Sequence, residues 1–166
     1  MPQGPAARIT DNVMHPLPPV LIPGPGSMNV LIGCLPAWRG IPLFAAAALQ
    51  AAKTVSDIAI KAAEVATVAA AGTPGAPVAY AAEQTAKSVA LAALSTAINA
   101  MAGMSDIHMC VTPSPMPPHG PGVVVDGSQT VMINNMPACR LGDTVIEPLG
   151  PPNKIMKGEF TVIIGG

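Results

Sequence analysis

All three histidines of this 166-residue chain, together with one cysteine, have the types and spacing of a metal-binding set. They are His15, near the N-terminus, and His108, Cys110 and His119, which lie within "HMCVTPSPMPPHG". Three imidazoles and one thiolate form a closed tetrahedral set that suits Zn²⁺. We therefore predict one structural zinc ion per chain, bound by these four residues. Cys34 and Cys139 are interpreted as small buried hydrophobic residues, although either could replace Cys110 as the sulfur ligand.

The same histidines leave a catalytic alternative open, because three imidazoles with water as the fourth ligand can activate a nucleophile. Cys110 argues against a zinc hydrolase, since it offers a fourth protein ligand, and we find no glutamate placed as a base beside a ligand histidine. The sequence also lacks a Gly-x-Ser-x-Gly motif and a phosphate-binding loop. We expect no enzymatic activity.

A short motif, Pro-Ala-x-Arg, occurs three times, and each copy is followed by an aspartate in the same register. The three pairs are Arg8 with Asp11, Arg39 with Asp106, and Arg140 with Asp143. In the middle pair a long insertion separates the arginine from its aspartate. Taken singly, each residue would be ordinary surface charge. Their recurrence predicts three equivalent structural corners, fixed by hydrogen bonds and ion pairs.

A second motif, Gly-x-x-x-Val-x-Ile, also occurs three times, as "GSMNVLIG", "GSQTVMIN" and "GEFTVIIG". Its β-branched residues after a glycine are typical of a half-buried strand that follows a turn. The distance from Pro5 to Gly26 is 21 positions, and the distance from Pro137 to Gly158 is also 21. Three such units, each too small to bury a core alone, predict a mainly β object with pseudo-threefold symmetry.

The insertion, residues 41–104, has a different composition and predicts a helical hairpin. Residues 44–71 and 78–101 are rich in alanine and other good helix formers, and "GTPGAP" lies between them as a breaker. From Ser88 to Ser105 no residue is charged, a run of 18 that reaches the lower limit for a membrane-spanning helix. We favour a soluble helix pair, with membrane contact as the alternative. The predicted division is therefore 1–40, 41–104 and 105–166.

Composition limits the possible partners and compartments. The net charge is −1, which gives no reason to expect nucleic acid as a partner. Three cysteines are an odd number, and the N-terminus shows no basic region followed by an apolar run. Both features argue against an exported disulfide framework, so we expect synthesis in the cytoplasm.

These motifs together resemble the PAAR-repeat proteins, which form the tips of type VI secretion and related contractile injection machines. "AARITDNVMH" (residues 6–15) is similar to the pre-PAAR motif of one subgroup, in which helices separate this segment from the main PAAR part. The resemblance implies that residues 1–40 hold the pre-PAAR segment and first repeat. It also implies that residues 105–166 complete a small cone stapled by zinc, with His15 as one ligand.

The resemblance implies partners and a location as well. The cone would cap and sharpen a trimeric VgrG-type spike, help to puncture target membranes and carry effectors. The helical hairpin could bind an effector or an Eag-type chaperone, or meet a membrane during delivery, which would make the chain the N-terminal delivery module of a toxin. The expected location is the bacterial cytoplasm until loading on the apparatus, followed by secretion into a target cell or the medium.

Overall fold

The computed structural model describes residues 3–14, 21, 24–103, 105–110 and 119–166. Two long helices form a hairpin: α1 (Leu43–Ala70) and α2 (Ala76–Ala102). Alanine, the residue with the highest helix propensity, is the most frequent residue in both, with 12 of the 28 residues of α1 and 11 of the 27 residues of α2. A short turn with three glycine or proline residues joins the two helices. Gly103 follows the last residue of α2 with a φ of 54°, a backbone conformation that glycine adopts without the steric cost that other residues meet.

Ten short strands, joined by turns and loops, lie in the rest of the described chain. They are β1 (Gly4–Ala6), β2 (Leu31–Ile32), β3 (Leu35–Pro36), β4 (His108–Cys110), β5 (Gly120–Val124), β6 (Met132–Ile133), β7 (Met136–Pro137), β8 (Thr144–Ile146), β9 (Asn153–Lys154) and β10 (Glu159–Ile164). Strands β4, β5, β8 and β9 form one antiparallel sheet in that order, while β1–β10, β2–β3 and β6–β7 form three separate antiparallel pairs.

The three strand pairs are equivalent, but the third is assembled from the two ends of the described chain. In the first pair Ile32 lies opposite Leu35, and their two-residue turn has positive φ at both Gly33 and Cys34. The second pair repeats this geometry with Asn134 and Asn135 in the turn. Such turns match the right-handed twist of the flanking strands. In the third pair β10 lies opposite β1, and Gly4 takes the place that Leu35 holds in the first.

Backbone hydrogen bonds close the three repeats into a ring. Ala7 N donates to Cys139 O at 2.9 Å, Cys139 N to Trp38 O at 3.1 Å, and Trp38 N to Ala7 O at 2.9 Å. A second closed cycle runs in the opposite direction, with Ile9 N donating to Pro36 O, Gly40 N to Pro137 O, and Leu141 N to Pro5 O. Each repeat therefore donates one backbone hydrogen bond to each of the other two repeats, so the three repeats form a closed ring.

Small side chains line the inside of this ring. Ala6, Ala37 and Ala138 are all fully buried, and they pack with one isoleucine from each strand pair. In a separate apolar cluster the helical hairpin packs against the strands, with Leu49, Leu94 and Ile98 next to residues of β5 and β8. Alanine at the ring positions allows close approach of the three backbones, which explains how a chain with few large apolar residues builds a core.

Three expectations need correction or completion. The two helices contain 28 and 27 residues, whereas no described strand is longer than six residues. The described part of the chain is therefore mixed α/β and not mainly β. Cys34 is exposed in its turn and is not a buried residue, whereas Cys139 is buried as expected. Among the described helices the one that is long and apolar enough to cross a membrane, by length and composition, is α1 and not the run 88–105.

Candidate functional site

The three arginine–aspartate pairs lie at equivalent corners of the ring and share one geometry. At each corner the aspartate Oδ2 accepts a hydrogen bond from the backbone N–H of its arginine, at 2.8, 2.8 and 2.7 Å. Each guanidinium also forms an ion pair with the same carboxylate. Arg39 and Asp106 meet in this way although 66 residues lie between them. The helical hairpin is therefore inserted inside one corner.

Two of the corner arginines also reach the strand pair of a neighbouring repeat: Arg39 Nη1 lies 3.5 Å from Asn134 Oδ1, and Arg140 Nη1 donates to the carbonyl oxygen of Gly166, just after β10. Arg8 Nη1 instead donates to Glu159 of β10, the strand that pairs with β1 in the same repeat. The hydrogen bond and charge of Asp11 raise the pKa of Arg8, and burial raises the pKa of Asp143 to about 6. The corners thus hold the repeats together through side chains as well as through the backbone.

The strand pairs expose an equivalent apolar position in all three repeats. Leu31, Met132 and Ile163 are 53–62 % exposed, whereas the residue that follows each of them is only 5–7 % exposed. We call these three residues the outer ring. Phe160 is also exposed, which extends the apolar surface in one repeat. Three equivalent exposed apolar side chains around one ring form a surface with the symmetry of a trimer.

The structure brings two of the four proposed metal ligands together. His108, fully buried in β4, and His119, partly exposed just before β5, lie on either side of one carboxylate, Glu147. Nε2 of His108 is 3.3 Å from Glu147 Oε1, and Nδ1 of His119 is 3.1 Å from Glu147 Oε2. A glutamate therefore lies beside two of the proposed ligand histidines, a proximity that the sequence did not indicate.

The other two proposed ligands are not placed by the structure. His15 lies outside the described residues, and for Cys110 only the backbone of β4 is described. Among the side chains that are described, no group of three or more is arranged to hold a metal ion. Cys139 packs in the core, and burial raises the pKa of its thiol well above the usual value, which disfavours a thiolate there. The convergence of two imidazoles on one buried carboxylate fits the chemistry of a zinc site with its supporting shell.

Comparison with known proteins identifies one part of the chain. Residues 114–166 match the family model of the PAAR motif. No curated protein matches the chain, and no solved structure matches it either. The matched segment contains the third arginine–aspartate corner, the second strand pair, β10 and Glu147, so it overlaps part of the ring and part of the histidine cluster. Residues 114–166 of the chain therefore carry a PAAR motif.

Proposed function

We propose that this protein is the structural tip of a contractile injection apparatus, where it caps a trimeric VgrG-type spike. The observation that carries the proposal is the outer ring, which repeats one exposed apolar residue three times around a closed three-repeat ring. A single chain with pseudo-threefold symmetry can offer three similar contacts to the three subunits of a true trimer. The PAAR motif supports the same role, because it is the motif of spike-tip proteins.

The physical properties of the ring suit a part that is driven through a barrier. Its backbone is closed by two cycles of hydrogen bonds, and each of its corners carries a buried arginine–aspartate ion pair. Rigid, mutually bonded repeats resist deformation better than a loosely packed core does. In this role the protein carries no catalytic group, and its work is mechanical.

Charge placed on the outer ring tests this function. We expect Leu31→Glu, Met132→Glu and Ile163→Glu each to weaken binding to a VgrG-type trimer at least about tenfold, since each would bury an unpaired carboxylate in the interface. The three effects should be similar in size, because the positions are equivalent. Binding is measured by biolayer interferometry with a spike trimer from an organism that encodes this chain, and the stoichiometry by light scattering.

The matched control is Val55→Glu with Ile58→Glu on α1, which places two charges at equally exposed apolar positions outside the ring. These changes should leave spike binding unaltered, with one chain bound per trimer. Failure of the unmodified chain to bind any trimeric spike, or equal loss of binding in the control, would contradict the proposal.

We further propose that the cone holds one Zn²⁺ through His15, His108, Cys110 and His119, with Cys34 and Cys139 as alternative sulfur donors. Support comes from the convergence of His108 and His119 and from the raised thiol pKa of Cys139, which favours Cys110. Zinc bound in this way would act as a crosslink between segments that are distant in sequence. Glu147 is fully buried, so it has no access to a bulk water molecule, which argues against the hydrolase alternative.

A second candidate function concerns the helical hairpin, which we propose as a delivery element. Along α1, eight exposed apolar residues alternate at spacings of four and three: Phe44, Ala48, Ala51, Val55, Ile58, Ala62, Val65 and Ala69. We call this stripe the outer face of α1. A continuous apolar seam with this spacing fits either a partner helix, as from an Eag-type chaperone or an effector, or the surface of a membrane.

Vesicle binding separates these two uses of the hairpin. We expect the full chain to co-sediment with phosphatidylglycerol-containing vesicles, and Val55→Glu with Ile58→Glu to reduce the bound fraction at least about fivefold, because charge at the apolar interface is costly. The outer-ring variants serve as the control here and should bind vesicles normally. Absence of vesicle binding in the unmodified chain would contradict membrane contact and leave a protein partner as the occupant.

These roles imply a route for the protein. We propose that it stays in the bacterial cytoplasm until it is loaded on a spike, and that it then leaves the cell with the spike and any effector it carries. The divisions 1–40, 41–104 and 105–166 belong to this proposal: the first and last segments form the cone, and the middle one forms the delivery hairpin.

A further inference from the structure

The outer face of α1 is a long apolar surface that nothing in the described part of the chain covers. Its four large residues, Phe44, Val55, Ile58 and Val65, are 62–80 % exposed. At a rise of about 1.5 Å per residue, the stripe from Phe44 to Ala69 is about 38 Å long. Long exposed apolar surfaces mark interaction sites in soluble proteins, so this face points to a partner.

The order of large and small side chains along the outer face of α1 is self-complementary. Two copies of α1 can lie antiparallel, with a twofold axis between residues 56 and 57. Each layer of the contact then joins one residue from either copy: Phe44 with Ala69, Val65 with Ala48, Ala62 with Ala51, and Val55 with Ile58. The large residues outside the central layer, Phe44 and Val65, therefore each meet an alanine. The spacing of three and four is the heptad spacing by which facing helices interdigitate.

Parallel pairing of the same two helices does not give this fit. It places each residue opposite its own copy, so Phe44 would face Phe44 and Ala51 would face Ala51. The phenylalanine layer would hold the helices apart and leave gaps at the alanine layers. Gaps and overpacking both cost stability, which favours the antiparallel arrangement.

The residues on either side of the outer face of α1 also suit antiparallel pairing. One flank carries three exposed alanines, Ala52, Ala59 and Ala66, and small side chains let two helices approach closely. The other flank carries one charge, on Lys61. In the antiparallel register Lys61 lies opposite Thr54 of the second copy, whose hydroxyl oxygen can accept a hydrogen bond from the ammonium. Across these flanks no two like charges meet.

The remaining charges of α1 have their partners within the chain. Lys53 forms an ion pair with Asp57 and donates to the carbonyl oxygen of Gly150 at 2.9 Å. Glu64 forms an ion pair with Lys87 of α2. Pairing along the outer face of α1 therefore leaves each of these charges with the partner it already has.

We propose that two copies of this chain associate through the outer faces of their α1 helices, packed antiparallel. The inference rests on the proposed function of this face as a contact surface for delivery, and it names the first occupant of that surface. Each copy contributes eight residues of the stripe and about seven that flank it, fewer than the roughly 20–30 residues a side of a standard interface. The association is therefore weak, with a Kd in the micromolar range. Such a dimer covers the apolar face before delivery and releases it readily.

Sedimentation equilibrium of the full chain, from about 1 to 300 µM, measures this self-association. We expect a reversible equilibrium between monomer and dimer. Val55→Glu with Ile58→Glu should weaken the dimer at least about tenfold, because the central layer would then bury unpaired carboxylates. Val78→Glu with Val89→Glu is the matched control, since these valines of α2 are similarly exposed, and it should dimerise like the unmodified chain.

A charge-swapped variant, Val55→Lys with Ile58→Glu, tests the antiparallel register. In that register the introduced lysine of each copy faces the introduced glutamate of the other, whereas parallel pairing brings like charges together. We expect this variant to dimerise at least about tenfold more tightly than Val55→Glu with Ile58→Glu. All these positions are exposed in the single chain, and circular dichroism checks that each variant keeps its helix content.

Three results would overturn the inference: an unmodified chain that stays monomeric over the whole range, equal loss of dimer in the α2 control, or a charge-swapped variant as weak as the doubly acidic one. A monomeric chain that still binds vesicles would refute the dimer and keep membrane contact as the use of this face. A dimer that binds no vesicles would support the inference and contradict membrane contact, so the two failures are distinguishable.

Discussion

Replacing Asp106 with alanine is expected to lower the free energy of unfolding by about 3–5 kcal/mol. Asp106 is fully buried and accepts three hydrogen bonds from Arg39, at 2.8 Å from the backbone N, 3.1 Å from Nε and 2.8 Å from Nη2. Alanine would leave the buried guanidinium of Arg39 without its counter-charge. Because Arg39 also donates to Gly26 O, the damage should spread to the first strand pair.

Urea denaturation, followed by circular dichroism, measures this effect. Glu64→Ala is the control, because its ion pair with Lys87 is partly exposed and Lys87 keeps Glu83 as a second partner. Exposed pairs of this kind contribute about 0–1 kcal/mol. The corner would lose its proposed role if Asp106→Ala cost no more than Glu64→Ala.

Removing metal from the purified protein is expected to produce the other large effect. A ligand present at a thousand times its dissociation constant stabilises the folded state by about 4 kcal/mol. For a chain of this length, such a change corresponds to a fall in Tm on the order of 10 °C when the metal is chelated. Differential scanning calorimetry with and without a chelator, followed by addition of zinc, measures the change and its reversal.

Variants connect this effect to particular residues. His15→Ala and Cys110→Ser should each lose zinc, as measured by elemental analysis, and should show the lower Tm without any chelator. Cys34→Ser should keep zinc, because Cys34 is exposed in the turn between β2 and β3. Loss of zinc in Cys34→Ser but not in Cys110→Ser would reassign the sulfur ligand, while a folded protein without zinc would refute the site.

Repetition is what made the ring predictable from the sequence. The same spacing between Pro-Ala-x-Arg and the following aspartate occurs in two copies without interruption, so the third pair could be found across the hairpin. The structure places Arg39 beside Asp106 with the geometry of the other two corners. The positions of equivalent residues in each repeat are set by local turns and strands. They can therefore be predicted from the sequence alone.

Glu147 could not be predicted in the same way, because it belongs to no repeated motif. It lies in "TVIEPLG", where a single glutamate after a strand resembles ordinary surface charge. Its position beside His108 and His119 depends on the pairing of β5 with both β4 and β8, which brings the two histidines to it from elsewhere in the chain. The sequence did contain one signal. Glu147 directly follows the apolar residues Val145 and Ile146, and a charged residue next to a buried strand can itself be buried.

The short strands and the helical hairpin were expected, but the share of helix was underestimated for a related reason. Two helices of 28 and 27 residues outweigh ten strands that are mostly two or three residues long. Short strands produce recognisable sequence motifs but contain few residues. An estimate based on motifs therefore overstates the fraction of the chain that is strand. Cys34 shows the same limit, because its repeat position looked apolar while the tight turn that exposes it depends on the backbone.

The third strand pair has a consequence for the order in which the protein folds. Its partners, β1 and β10, include Gly4 and Ile164 and so lie at opposite ends of the described chain. Closing so long a loop costs more entropy than forming either local hairpin, and contacts between distant residues slow folding. We therefore expect the two local pairs, β2–β3 and β6–β7, to form first and the pairing of β1 with β10 to close the ring last. Until that step the protein has an open gap with unpaired strand edges, which is the stage most exposed to aggregation.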